Sequence, residues 1–351
     1  MNILFVGGSN LVIRDGLSTL IPQCLSASGV EVENVFNISV GATGSLFGLE
    51  NLSMFGKKNI DLVFVEYGIN DLPLHSNDKR LWGYAFSALL DKISEKYPSA
   101  MLVTILLGRR RERFWEKQAK MHEGMSNITH RYGGLVVDID SLLKHKSQRI
   151  AALDSFYLDD SHYQSPFVTR YISETVVSEF LVAKELGFFN DKKVLLDNDL
   201  PRLGLSSVSG EIKCYENSRF MQKTTVLKKN EPVVLSVPGV PVGISFISEF
   251  ESCSLLIEAG EKKKIINTKR KKASLGRFSF ILKQTPLYNF FASDVGFAGM
   301  TEVKLTAVDT SSAGWDASIM QNTYGMEPAE PESNSKIFIS HISSCFVKKA
   351  S

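Results

Sequence analysis

Long apolar runs, paired cysteines and an excess of either charge are missing from this sequence, and each absence removes a class of function. No stretch approaches the roughly 20 apolar residues that a bilayer-spanning helix needs, so no membrane span is expected. Only four cysteines occur, Cys24, Cys214, Cys253 and Cys345, with no C-x-x-C spacing. They read as reduced thiols, not as a disulfide framework or a zinc site. No H-E-x-x-H or similar ligand spacing exists, so no metal is implied. The formal net charge is +2 over 351 residues, which creates no field that would gather nucleic acid. The first residues lack a basic segment and a signal-length apolar run, so a cytoplasmic location is the expectation.

What is present is the composition of a globular chain, 44% hydrophobic and 22% charged. The length exceeds one ordinary core, and two domains are expected. Compact apolar runs at residues 3–6, 32–36, 61–67, 101–107 and 135–139 read as strands. Between them, residues 17–28, 45–55, 79–96 and 113–131 carry helix-period patterns, and 166–186 closes the set with a helix-initiating proline. Strand runs without alternation, separated by helices, imply a parallel sheet covered on both faces, that is, a three-layer α/β sandwich. This domain is expected to span residues 1–187, with a linker over 188–205.

From 206 to 351 the pattern changes. Short runs rich in β-branched and aromatic residues at 233–237, 242–250, 254–259, 278–283, 303–308 and 337–342 are separated by turns or charged loops. They predict an all-β sandwich or jelly-roll domain. Residues 311–335 lack periodicity and read as a long loop.

Four polar or glycine-bearing segments fall beyond the carboxyl ends of the first-domain strands. They are Gly7-Gly8-Ser9-Asn10, the stretch from Asn37 to Gly44, Gly68-Ile69-Asn70-Asp71, and Asp159-Asp160-Ser161-His162. In an open α/β sheet, ligands bind in the crevice at that edge, so segments far apart in sequence are expected to meet there. Acyl transfer needs such a set: a serine exposed on a tight strand-to-helix turn, a histidine to take its proton, a carboxylate to orient the imidazole, and donors for the oxyanion. Each segment alone has a plainer reading. Gly7-Gly8-Ser9 is also an ordinary loop, Asn70-Asp71 is good turn chemistry, Asp159 could cap the approach to the last helix, and His162 could be a surface histidine.

Together, the four segments resemble in order and content the blocks of the SGNH (GDSL-like) hydrolase superfamily. The resemblance covers residues 1–187 and implies a flavodoxin-like fold. It implies Ser9 as nucleophile, His162 as base and Asp159 as its partner, with the Ser9 and Gly41 N–H groups and the Asn70 amide forming an oxyanion hole. The first block departs from the family's Gly-Asp-Ser-Leu, reading Gly7-Gly8-Ser9-Asn10. The missing aspartate takes no part in the proton relay.

The expected activity is removal of a small acyl group, acetyl first, from a carbohydrate or polysaccharide, with no cofactor required. The alternative is an O-acetyltransferase using the same residues with acetyl-coenzyme A as donor. A third reading is a non-catalytic polysaccharide-binding protein. The run Arg109-Arg110-Arg111-Glu112-Arg113 follows the fourth strand and reads either as a contact for an anionic substrate or as the solvated start of the next helix. His75 is the one other histidine near the expected face. In the second domain, Trp315 and Tyr324 are candidate sugar-binding aromatics, with packing of Trp315 under its own loop as the plainer reading.

Overall fold

The computed structural model describes residues 1–147, 153–190, 200–216, 221–229, 231–271, 279–291, 297–310, 315–323, 325–329 and 335–347. The chain divides into two compact units, residues 1–198 and 199–351. Of the linker expected over 188–205, residues 191–199 lie outside the described set, Phe189 packs 5.9 Å from the Phe180 ring, and Arg202–Ser206 already forms a strand.

In the first unit, β1 (Asn2–Gly7), β2 (Asn34–Asn37), β3 (Leu62–Glu66), β4 (Met101–Leu106) and β5 (Leu135–Asp138) form one sheet. All pairings are parallel and the order is β2-β1-β3-β4-β5, the flavodoxin-like arrangement. The helices are α1 (Leu17–Ala27), α2 (Ser45–Met54), α3 (Leu72–Asn77), α4 (Lys79–Lys96), α5 (Trp115–Arg131), α6 (Ile139–Ser147) and α7 (Phe167–Glu185). Side chains alternate across a strand, so Ile3, Phe5, Leu62 and Phe64 join one core with α1, α6 and α7. Leu4, Val6, Val63 and Val65, of opposite parity, are fully buried as well. That double burial is why these strands read as unbroken apolar runs.

The sequence pattern did not anticipate α3 or α6. The first follows Asp71 at once and is six residues long. The second begins at Ile139, where the strand ends without a turn residue between them.

The second unit contains β6 (Arg202–Ser206), β7 (Ile212–Glu216), β8 (Met221–Lys228), β9 (Val233–Pro238), β10 (Val240–Ser248), β11 (Ser254–Ala259), β12 (Lys262–Asn267), β13 (Lys269–Arg270), β14 (Ile281–Pro286), β15 (Met300–Val308), β16 (Met320–Gln321), β17 (Met326–Glu327) and β18 (Lys336–Phe346). One sheet runs β14-β10-β18-β8-β7, with β6 also on β18, and the other runs β16-β12-β11-β15-β9. Every pairing within the two sheets is antiparallel except β12 with β16. Phe246 and Ile339 from one sheet and Leu255, Ile257 and Leu305 from the other share a single core, so the unit is a β-sandwich. The stretch 311–335, expected to be a loop, supplies β16, β17 and a short 3-10 turn at Ala317–Ile319.

Among the described residues, no helix is long and apolar enough to cross a membrane.

Candidate active site

The parallel sheet brings the four segments together. β1 ends at Gly7 and passes into a 3-10 turn, Ser9–Leu11, so Ser9 opens a tight strand-to-helix turn. The glycines before it are required by close approaches. A Cβ on Gly7 would come 2.5 Å from the Glu66 carbonyl oxygen, and one on Gly8 would come 2.6 Å from the Asn70 amide nitrogen.

Ser9 Oγ lies 2.8 Å from His162 Nε2, and His162 Nδ1 lies 2.7 Å from Asp159 Oδ2. An ionised carboxylate only accepts, so Nδ1 carries the imidazole proton and Nε2 faces Ser9 as the acceptor. The second Asp159 oxygen accepts from the N–H groups of Ser161 and His162 at 2.7 and 2.9 Å, closing a turn that presents the ring. Partial burial pushes the Asp159 pKa up. The bonds from the His162 ring and from the Ser161 and His162 backbone outweigh it and hold the carboxylate below its usual range.

Gly41 and Asn70 flank Ser9. The nearest atom to a Cβ built on Gly41 is Ser9 Cβ, at 3.7 Å. Among the described residues, neither the Ser9 nor the Gly41 N–H is taken by another backbone carbonyl. Asn70 Nδ2 donates one hydrogen to the Thr43 carbonyl at 2.9 Å, which fixes the amide plane and leaves its second hydrogen for a ligand. Ala42, beside Gly41, has φ 58°, a left-handed conformation that costs a residue with a Cβ about 1–2 kcal/mol. Such strain concentrates at sites where backbone direction matters.

Residues to which the sequence assigns no role hold these segments in place. Asn10, buried, donates to the Ser161 carbonyl at 3.1 Å and so ties the Ser9 turn to the His162 turn. Gln118, fully buried on α5, donates to the Gly68 carbonyl at 2.8 Å and accepts from the Arg109 N–H at 2.9 Å. His122, one helical turn on, also meets the Gly68 carbonyl at 3.0 Å. Tyr157 and Tyr163 bracket the Asp159–His162 turn, and both hydroxyls donate to the Gly108 carbonyl, at 3.0 and 3.1 Å. Their spacing in sequence carries no signal for these roles, since each partner lies 9 to 151 positions away.

Two acids are buried beneath the site. Glu66 ends β3, and burial raises its carboxyl pKa well above the ordinary range. Asp71 is raised by burial to about 7, against the opposing effect of its Ser45 bonds. Its Oδ1 accepts from the Ser45 N–H at 2.7 Å, capping the first turn of α2 from a neighbouring loop. Gly44 has no side chain because a Cβ there would sit 2.6 Å from that oxygen.

The remaining candidates divide. Arg110 and Arg111 pair with Asp160, at 3.1 and 2.6 Å. The Arg109 guanidinium lies over Phe114, 5.1 Å from the ring centroid. His75 packs edge-on against Trp82 inside the fold, 4.7 Å between ring centroids, and burial lowers its pKa. In the second unit, Trp315 donates its indole N–H to the Asp309 carbonyl at 3.0 Å while 40% of the residue stays exposed. Tyr324 lies outside the described residues. Among the described residues, no group of acids, histidines and cysteines has a metal-holding arrangement.

No protein-family model matches the sequence, and no curated protein is similar to it in sequence. Solved structures are similar to it. A two-domain esterase active on acetylated mannans matches with a TM-score of 0.61 at 12% identity, over 99% of this chain and 92% of that one. The same kind of esterase co-crystallised with mannopentaose matches with a TM-score of 0.60 at 15% identity, over 100% of this chain and 92% of that one. At such identities the likeness is one of fold. Across its length, then, this chain has the fold of that two-domain esterase, a flavodoxin-like α/β sandwich followed by a β-domain.

Proposed function

We propose that the chain is a serine esterase that removes acetyl groups from an acetylated polysaccharide of the mannan kind. The observation that carries this reading is the hydrogen-bonded chain from Ser9 Oγ through His162 to Asp159. The substrate class draws on the fold likeness to an esterase active on acetylated mannans.

In this reading Ser9 Oγ attacks the ester carbonyl as its proton passes to His162 Nε2. Asp159 stabilises the imidazolium without taking the proton. The Ser9 and Gly41 N–H groups and the Asn70 amide face the oxygen that becomes negative. The carbon–oxygen bond to the sugar then breaks, and the sugar oxygen takes the proton from His162, leaving acetyl-Ser9. Water attacks the acyl group, gives its proton to Nε2, and acetate departs as Ser9 recovers its own. Water and protein groups balance every step. The β-unit serves as the accessory domain that holds the polymer, and Trp315 offers an exposed ring face for a sugar.

The test is acetate release from p-nitrophenyl acetate and from acetylated mannan by wild type and Ser9→Ala. Wild type should release acetate from both, and Ser9→Ala should lose at least about 1000-fold in kcat. Turnover independent of Ser9 would sink the reading. Acetyl appearing on an unacetylated polymer supplied with acetyl-coenzyme A, in place of free acetate, would make the enzyme a transferase.

A further inference from the structure

The turn that carries Asp159 and His162 has no regular secondary structure to hold it. Its stem is fixed by Tyr157 and Tyr163, which bridge to one another and both reach Gly108. On the side facing Ser9, Asn10 holds the Ser161 carbonyl. Asp160, between the two functional side chains, turns the other way. Its backbone carbonyl accepts from the Arg110 N–H at 3.1 Å, one carboxylate oxygen pairs with Arg110 Nη2 at 3.1 Å, and the other with Arg111 Nε at 2.6 Å. Arg110 also reaches towards Asp154, its Nε 4.0 Å from that carboxylate.

The segment supplying these arginines is itself anchored. Gly108 N–H donates to the Tyr163 hydroxyl at 2.9 Å, and Gln118 holds the Arg109 N–H while also gripping the Gly68 carbonyl, two residues before Asn70. Through Asp160, then, the position of the histidine is referred to the same framework that places the Asn70 amide. A guanidinium pair that spends its charge on an internal carboxylate has less of it left for a substrate anion.

We infer that Arg110 and Arg111 are positioning residues, which clamp the Asp159–His162 turn through Asp160, and not ligands for the substrate. The inference rests on the esterase reading for its kinetic consequence, and on the hydrogen-bond geometry for its structural one. A displacement of about 1 Å at a reacting group can cost on the order of 100-fold in rate, so a loosened turn should lower kcat and leave ground-state binding of a small ester nearly alone.

The test uses the full chain labelled with ¹⁵N-histidine: wild type, Arg110→Gln with Arg111→Gln, Arg111→Lys, Asp160→Asn, and Asp160→Asn added to the double arginine variant. Two kinds of quantity are read: kcat and KM on p-nitrophenyl acetate and on acetylated mannan, and the Nδ1–H signal of His162 bonded to Asp159. The double arginine variant should lose on the order of 10-fold in kcat with KM changed by less than about twofold, and its His162 signal should broaden or move. Arg111→Lys should retain most of the wild-type rate. Asp160→Asn should cost nothing further once both arginines are gone, because the partners act as one unit. Unchanged kcat and His162 signal, with a raised KM on acetylated mannan, would overturn the clamp and make the arginines substrate ligands. Independent, multiplying losses from Asp160 and the arginines would overturn it too. The histidine signal needs no turnover, so a wild type inert towards esters would defeat the esterase reading while the signal still decided the clamp.

Discussion

Among the described residues, the α/β unit buries carboxyl groups and no lysine or arginine, whereas the β-unit buries lysine and arginine and no carboxyl group. Glu50, Glu66, Asp71, Asp78 and Asp140 make up the first set, and Lys269, Arg270 and Lys283 the second. The difference follows from what each architecture places inside. Parallel strands send every carboxyl end to one edge of the sheet, where helices begin, and a helix N-terminus offers unpaired N–H groups and a positive dipole end. Asp71 takes the Ser45 N–H at the start of α2, and Asp78 takes the Leu81 N–H at the start of α4, at 2.7 and 3.0 Å. The described part of the β-unit contains no α-helix to offer such donors. Its buried Arg270 instead stands over the Phe250 ring, 5.3 Å from the centroid. Three of the five acids (Glu66, Asp71 and Asp140) also lie at or just past the carboxyl ends of strands, the edge where Ser9 sits. Three of the five buried carboxyl groups of the first unit thus lie at the edge that carries Ser9, and the buried cations of the second lie along strands.

The largest expected effect separates those two kinds of polarity. Asn70→Ala removes a donor aimed beside Ser9, and kcat on p-nitrophenyl acetate should fall roughly 100- to 1000-fold, about 2.7–4 kcal/mol, with KM little changed. The oxyanion exists only beyond the ground state, so a loss confined to KM would place Asn70 in substrate binding and break the link between buried polarity and chemistry.

That link was partly legible in the sequence, for a topological reason. β1, β3 and β4 are buried on both faces and show as unbroken apolar runs, so the loops after them could be located and assigned to one edge without knowing any contact. The pairing of Ser9, Asp159 and His162 comes from the resemblance of the segments at that edge to the SGNH blocks. What holds them does not. Asn10, Gln118 and Asp160 are ordinary polar residues whose partners are set by the sheet order, and no local spacing marks them. In the β-unit the legible strands were the apolar ones, such as β10 and β11. β7 is exposed at four of its five positions and reads as a polar segment, and β12 opens on three lysines. Antiparallel strands also leave loops at both ends of a sandwich, so locating the strands does not say which loops meet.

Asp71 tests the acidic half of the comparison. Its folded pKa, about 7, is raised above the value near 4 of an unfolded chain, so the folded state binds the extra proton. Below pH 4 both states are protonated and nothing is lost. Between pH 4 and 7 the unfolded chain ionises first and stability falls, levelling off above 7. From pH 5 to pH 8 wild type should lose about 2–3 kcal/mol relative to Asp71→Asn, read from urea unfolding of the two proteins side by side. Parallel pH profiles for the two would mean that Asp71 ionises in the fold as readily as outside it, and that the Ser45 bonds outweigh its burial.

Lys283 tests the basic half, with the opposite sign. It lies within β14, paired with Phe246 in the sheet, and burial lowers its pKa to about 8 from the usual value near 10.4. Here the folded state sheds the proton first. Below pH 8 folding carries the full cost of burying an ammonium, and the cost fades as pH rises towards 10.4, where the unfolded chain also becomes neutral. Wild type should therefore gain about 2 kcal/mol relative to Lys283→Met between pH 8 and pH 10, in the range where the Asp71 contribution is already flat. Methionine keeps the length of the side chain and removes its charge, so the difference in slope reports the amine and not a cavity. Equal slopes would show that Lys283 stays charged in the fold through its partners, and the contrast between the units would then be one of charge sign alone, without the opposed pH responses that burial predicts.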